Sequence, residues 1–188
     1  AFRGADGKVR IFRPDENAQR IVNSCNFLGL PAPDKKLFID MCVRAVKENI
    51  DFLPPYGHKA SLYIRPVIVT TIPSVNLVPQ NEGILFMVFC FPVGTYSGGK
   101  VLQPIKTIVA RDFDRAAPFG SGQVKVCGNY AGAMYAEAAA VKMGYGDVLF
   151  LDPATKTYVD EFSSANFIGI RGNEYVTPLS DTILPSIT

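Results

Sequence analysis

The stretch "GQVKVCGNYAGAMYAEAAA", residues 122–140, sets one lysine, Lys125, between Val124 and Val126 and just ahead of Cys127-Gly128-Asn129-Tyr130. From Tyr130 to Met143 the chain is rich in alanine, a strong helix former, and Gly144 supplies a stop. Before this helix lies the strand-like "IKTIVA", residues 105–110. After it come "DVLFLD", "TYVDEF", "NFIGI" and "EYVTP", short strand-like runs joined by the turns "PATK" and "RGNE". One helix among many short strands predicts an α+β unit dominated by strands over residues 102–188.

The first half reads differently. "AFRGADGKVRIFRP" predicts a hairpin turning at Ala5-Asp6-Gly7. Pro14 opens a helix with Asp15 and Glu16 in its first turn, where the helix dipole favours acids, and Gly29 is a plausible stop. Asp34 caps a second helix, whose expected apolar stripe is Leu37, Met41, Cys42, Ala45 and Val46. "SLYIRPVIVT" (residues 61–70) alternates as a strand, with Pro66 arguing for an edge or a bulge. Tyr63 and Arg65, two apart, share one of its faces. "GILFMVFCF" is expected to be a buried strand. Residues 1–91 thus form a small α/β domain, and the Gly-, Ser- and Pro-rich "PVGTYSGGK" places an interdomain linker at residues 92–101.

Composition narrows the chemistry. A chain of 188 residues with 48% hydrophobic and 19% charged residues can bury a real core. A formal charge of +2 gives no reason to expect nucleic acid or an acidic membrane as partner. The longest apolar run, "ILFMVFCF", falls well short of the roughly 20 residues a spanning helix needs, so no membrane is expected either. Four cysteines without a CxxC pair suit reduced, mostly buried thiols and a cytoplasmic location. With one histidine, His58, no metal site is expected and a Ser-His-Asp triad has little material. Catalysis therefore falls to lysine, tyrosine and carboxylates. The chain begins inside a strand and stops at "LPSIT", so it reads as the middle of a longer protein.

Singly, the candidates decide nothing. Lys125 is either a surface lysine beside a helix start or a nucleophile whose pKa apolar surroundings lower. Glu161, in "YVDEFSSANF", is either an exposed strand-end carboxylate or a functional one. Arg20, beside Ile21 and Val22, reads on its own as a snorkelling side chain.

Together they resemble the branched-chain aminotransferases, of the fold-type IV pyridoxal-phosphate enzymes. "KVCGNY" is similar to that family's Lys-x-Gly-Gly-Asn-Tyr signature, and "SLYIRP" is unchanged. "ENAQR", "PVGTY", "DEFSSANF" and "LPSIT" match further family motifs, all in order along the whole chain. Cys127 and Ser186 stand where the family has glycine, so a positive φ at either would be strained. The resemblance implies a fold-type IV aminotransferase, here lacking an N-terminal segment and part of its larger domain.

It also implies roles. Lys125 would hold pyridoxal 5′-phosphate as a Schiff base and shuttle the proton. Glu161 would pair with the pyridine nitrogen, and Tyr130 would donate to the phenolic oxygen. Arg20 would bind the phosphate, completed by the backbone N–H of Ile187 and the hydroxyl of Thr188. Leu184 would pack on the ring, and Ser164 stands where the family often has threonine. Tyr63, Arg65 and Tyr96 match substrate-pocket positions, while Val75 and Leu77 would reach a neighbouring subunit's pocket. The implied activity is transamination of leucine, isoleucine and valine with 2-oxoglutarate by a cytoplasmic homodimer whose other partners are small amino and 2-oxo acids. Open alternatives are a related enzyme acting on other amino acids, a lyase, or a silent dimeric module.

Overall fold

The chain opens on a small antiparallel hairpin, β1 (Phe2–Arg3) with β2 (Val9–Arg10), closed by Gly4-Ala5-Asp6-Gly7. The computed structural model describes residues 1–79, 81–95 and 103–188. Contacts divide the chain into two units, residues 1–103 with Ile187 and residues 104–186 with Thr188.

In the first unit, α1 (Pro14–Leu28) follows the hairpin with Pro14 at its start and Asp15 and Glu16 in its first turn. It ends as the sequence predicts: Gly29 follows, and the Leu30 N–H bonds the Cys25 carbonyl at 2.9 Å. Helix α2 (Lys35–Glu48) is capped by Asp34, whose carboxylate accepts from the N–H groups of Lys36 (2.8 Å) and Leu37 (3.2 Å). The stripe α2 buries is not quite the expected one. Phe38, Cys42 and Val46 point inward at i, i+4 and i+8, while Leu37 is 49% exposed. Two adjacent apolar residues leave the helix phase open, and the larger ring of Phe38, stacked on Phe86, takes the core position.

Strands β3 (Ser61–Thr70) and β4 (Ile84–Val93) pair antiparallel along their full length, Tyr63 opposite Phe91 and Arg65 opposite Phe89. Pro92 and Val93, expected in the linker, are thus the last residues of β4. Leu62, Ile64, Phe86, Val88 and Cys90 face the helices and build two small cores with Ala18, Phe38, Cys42, Val46 and Leu53. The opposite face carries Tyr63, Arg65, Leu85, Met87, Phe89 and Phe91, all exposed. Strand β4 is therefore buried on one face, not on both as its unbroken apolar run suggests. A two-stranded sheet also gives Pro66 an edge strand, where the missing N–H is tolerated.

In the second unit, β5 (Thr107–Ala110) and β6 (Asp147–Leu151) are parallel, and β7 (Val159–Phe162) is antiparallel to β6. A parallel pair needs a crossover, supplied here by α3 (Gly128–Lys142). Its alanines explain the packing. Ala133 and Ala140 let the helix backbone approach the sheet, against Val148 and a fully buried Phe150. Gly144, at φ 84°, ends the helix in the left-handed region. Strands β8 (Gly169–Arg171) and β9 (Glu174–Val176) form a separate hairpin. Among the described residues no helix is long and apolar enough to cross a membrane.

Candidate active site

Lys125 lies on the short connection that enters α3. Its neighbours explain why it is held there. Val124 is 3% exposed and plugs the loop into the core, while Asn129, in the first turn of the helix, is buried behind it. The Asn129 amide donates to the carbonyls of Ser121 (2.6 Å) and Val124 (2.8 Å), and its Oδ1 accepts from the Ser121 hydroxyl (2.7 Å). Three bonds from one side chain fix the backbone on the N-terminal side of Lys125. The Lys125 side chain itself is exposed, so its apolar neighbours anchor the loop rather than enclose the amine. Lys125 Nζ donates to the Tyr130 hydroxyl and stands 4.8 Å from the centre of its ring. Helix α3 begins without strain at the substituted position, since Cys127 has φ −60° and ψ −32°. Ser186 has no positive φ either. Neither position needs the glycine that the family motif carries.

Glu161 comes from β7 and is only 4% exposed, not the solvent-facing carboxylate its strand-end position allows. Its Oε1 forms an ion pair with Arg115 and accepts the Leu184 N–H at 3.2 Å; its Oε2 accepts from the Asn166 amide at 3.3 Å. The same amide bonds the Leu184 carbonyl at 2.9 Å, so the Leu184 segment is tied to Glu161 twice. Burial pushes the Glu161 carboxyl up to about 7. Arg115 and the Leu184 N–H favour the charged form, neighbouring Asp160 disfavours it, and Lys125 favours it. Asp160 is raised as well, first by burial, although the Thr182 hydroxyl, bonded to both its oxygens, and Arg115 pull it down. Ser163 Oγ, two residues on, is buried with no hydrogen-bond partner.

Arg115 was not singled out by sequence reasoning, and nor was Asn129 given a role. Arg115 is 7% exposed, and its Nη2 donates to the carbonyls of Gly122 (3.2 Å) and Thr182 (2.5 Å). Gly122 has a structural reason to lack a side chain. A Cβ there would collide with the Thr182 carbonyl oxygen and stand 2.6 Å from the Thr182 carbonyl carbon and Cα. Nothing local in "RDFDRAAPFG" marks Arg115, because two of its partners, Glu161 and Thr182, come from far along the chain. Asn129 did have a signal, its place inside the quoted Lys125 motif.

The remaining predicted residues are distributed as follows. In the second unit, Leu184 is half-buried and meets Glu161 through its backbone, Ser164 is exposed, and the Thr188 N–H donates to Ser186 Oγ at 3.1 Å. In the first unit, Arg20 lies on α1 with Nη2 3.4 Å from Asn17 Oδ1. Ile187 is also grouped with the first unit. Tyr63 and Arg65 form one cluster on β3: the guanidinium lies 5.1 Å from the tyrosine ring centre, and Tyr63 stacks on Phe91 at 5.2 Å. Val75 and Leu77 are both fully exposed between β3 and β4. Tyr96 and linker residues 96–101 fall outside the described residues. Among the described residues no group of three or more His, Cys, Asp or Glu side chains could hold a metal ion.

The second unit therefore combines an amine in contact with a phenol and a buried carboxylate fixed by an arginine and two amide donors. An amine of this kind can add to a carbonyl. A buried carboxylate can hold a cationic partner strongly, because no water screens it.

Comparisons with known proteins agree on one family. The sequence profile of amino-transferase class IV matches residues 1–188. A branched-chain-amino-acid aminotransferase of Helicobacter pylori is 42% identical over 189 residues, covering 100% of this chain and 55% of that protein. Transaminase AMT5 of Alternaria alternata is 44% identical over 193 residues, covering 100% of this chain and 51% of that protein. Among solved structures, the branched-chain amino acid aminotransferase of Thermobaculum terrenum in its PLP form superposes with a TM-score of 0.80. It is 20% identical, covers 99% of this chain and 58% of that one, and shares the fold. The chain spans about half the length of the curated relatives it matches.

Proposed function

Because the chain belongs to the class IV amino-transferase family, we propose that the protein transfers the amino group of leucine, isoleucine or valine to 2-oxoglutarate, using pyridoxal 5′-phosphate held by Lys125. The observation that carries this reading is the contact between Lys125 Nζ and the Tyr130 hydroxyl, on a loop clamped by Asn129, in the unit that also buries Glu161. The residues fit that cofactor by their chemistry. A primary amine suits its aldehyde, a phenol suits its ring oxygen, and a buried carboxylate suits its ring nitrogen. When bound, the cofactor supplies an aldehyde for the lysine and a ring that accepts electrons from the substrate's α-carbon.

Lys125 Nζ accepts the proton that leaves the substrate's α-carbon and later gives it up again. Glu161, as a carboxylate, would pair with the cofactor's ring nitrogen and keep that nitrogen protonated. Tyr130 donates from its hydroxyl, and Asn129 keeps Lys125 in register with both. Arg20 and the segment Ile187–Thr188 are assigned to the phosphate, Leu184 to packing on the ring and Ser164 to the surroundings of the cofactor. Arg65, with Tyr63, receives the distal carboxylate of glutamate, which an apolar pocket would leave unpaired. Tyr96 is likewise assigned to substrate, and Val75 and Leu77 serve the neighbouring subunit of a cytoplasmic homodimer. The first unit acts as the small domain and the second as the cofactor domain.

One observation supports a second reading, an aminotransferase for other amino acids: the Alternaria relative, at 44% identity, is named only as a transaminase. The test is a pair of half-reactions on the complete protein loaded with cofactor. Leucine should release one equivalent of its 2-oxo acid and bleach the visible absorbance, and 2-oxoglutarate should restore it. Absence of 2-oxo acid from leucine, isoleucine and valine alike refutes the substrate assignment.

A further inference from the structure

Among the described residues, Arg115 is the charged group that touches both halves of the catalytic apparatus in the second unit. Its Nη2 meets the Gly122 carbonyl, at the root of the Lys125 loop, and the Thr182 carbonyl, two residues before Leu184. It also forms the ion pair with Glu161 Oε1. The two side chains of that pair are 4% and 5% exposed, so neither charge is sheltered by water. The charged neighbours of Glu161 are few: Arg115 and Lys125 favour its ionisation, and Asp160 opposes it. Lys125 is exposed, whereas Arg115 is buried and in direct contact. A guanidinium stays protonated at any pH the protein meets, so it is a fixed charge rather than a second titrating group.

We propose that Arg115 is a positioning residue for transamination: it favours the ionised form of Glu161 against burial and fixes Oε1 to the Lys125 loop, so that the carboxylate can serve the cofactor's ring nitrogen. This rests on the reading of Glu161 given under Proposed function. The division of labour follows from the contacts. Oε1 is taken by Arg115 and the Leu184 N–H, while Oε2 carries the longer bond from Asn166 and is the oxygen more readily offered to a new partner. Without Arg115, burial and Asp160 would both favour the neutral acid, which cannot hold a proton on the ring.

The proposal is tested by following the Glu161 carboxyl in the complete protein freed of cofactor, by isotope-edited infrared titration with Glu161→Gln as the subtraction control. Arg115→Met should move the midpoint upward by about 1–3 pH units. Arg115→Lys, which keeps the charge but loses the fork, should restore most of the shift. A midpoint in Arg115→Met that matches the wild type overturns the proposal. Should Arg115→Met fail to fold, the wild type decides: a Glu161 carboxyl still protonated at pH 9 with Arg115 in place overturns it equally, and a midpoint near neutrality supports it. A purely structural arginine would alter thermal stability and leave the midpoint in Arg115→Lys and Arg115→Met alike. Borohydride trapping on the same preparations, reloaded with cofactor, keeps the two readings apart. No trapped lysine refutes the transaminase reading, whereas a trapped lysine with an unmoved midpoint refutes the role of Arg115.

Discussion

Replacing Asn129 by alanine removes the three side-chain bonds that add to the backbone bonds of the Lys125 loop. The carbonyls of Ser121 and Val124 lose a side-chain donor but keep one backbone donor each, the N–H groups of Val124 and Val126 (both 2.9 Å), and the Ser121 hydroxyl loses its acceptor. Asn129 is 8% exposed and Val124 3%, so water reaches the Val124 carbonyl poorly, while Ser121 is half-buried and recovers part of its loss. A net hydrogen bond is worth about 1 kcal/mol, and neither carbonyl is left without a donor, so no further penalty for an unsatisfied group is added. The sum over three bonds is on the order of 2–3 kcal/mol of unfolding free energy, large against a typical total of about 5–15 kcal/mol. Asn129→Asp sharpens the test, because it keeps the acceptor but turns the two donor contacts into a carboxylate facing two carbonyls. It should destabilise at least as much as the alanine variant at neutral pH. Urea unfolding of the complete protein measures both. An Asn129→Ala variant within about 0.5 kcal/mol of wild type refutes the clamp, since that is the range of an ordinary surface change.

Gly122→Ala should destabilise by about 1–3 kcal/mol, because its Cβ would press on the Thr182 backbone, and a stability equal to wild type would contradict that close approach. Arg65→Ala should raise the KM for 2-oxoglutarate or glutamate well above any change for leucine, whereas equal losses with a lower melting temperature would mark Arg65 as a packing partner of Tyr63. The raised Glu161 carboxyl predicts a pH dependence of stability. The folded state holds a proton that the unfolded chain releases near 4.5, so this stabilisation is present below that pH and lost as pH rises through about 7. Glu161→Gln should therefore flatten the stability profile between those values. A profile that keeps its wild-type slope would show that another group is responsible.

Local signals were enough for much of the architecture. Asp34 and Gly29 bound their helices, and the alanines before Gly144 form α3, because capping and propensity act within a few residues. Three features were less legible. The phase of α2 depended on whether Leu37 or Phe38 faced inward, which only the partner Phe86 decides. The run from Ile84 to Phe91 is apolar on both faces, so alternation could not show that one face stays exposed. Arg115 has partners at Gly122, Glu161 and Thr182, and such long-range bonds leave no periodic trace in the sequence. The site divides in the same way. Lys125, Tyr130 and Glu161 stand out in the sequence as candidates through a motif, but the burial of Glu161 and the clamp around Lys125 follow from tertiary structure.

The most direct test of Lys125 as the cofactor's anchor is to reduce the complete, cofactor-loaded protein with borohydride, digest it and map the modified lysine. The geometry predicts one labelled peptide carrying the cofactor on Lys125, beside Val124 and Val126 and five residues before Tyr130. Lys125→Ala should give no such peptide. Label on Lys106 or Lys142, or no label in a folded protein saturated with pyridoxal 5′-phosphate, would contradict the central claim.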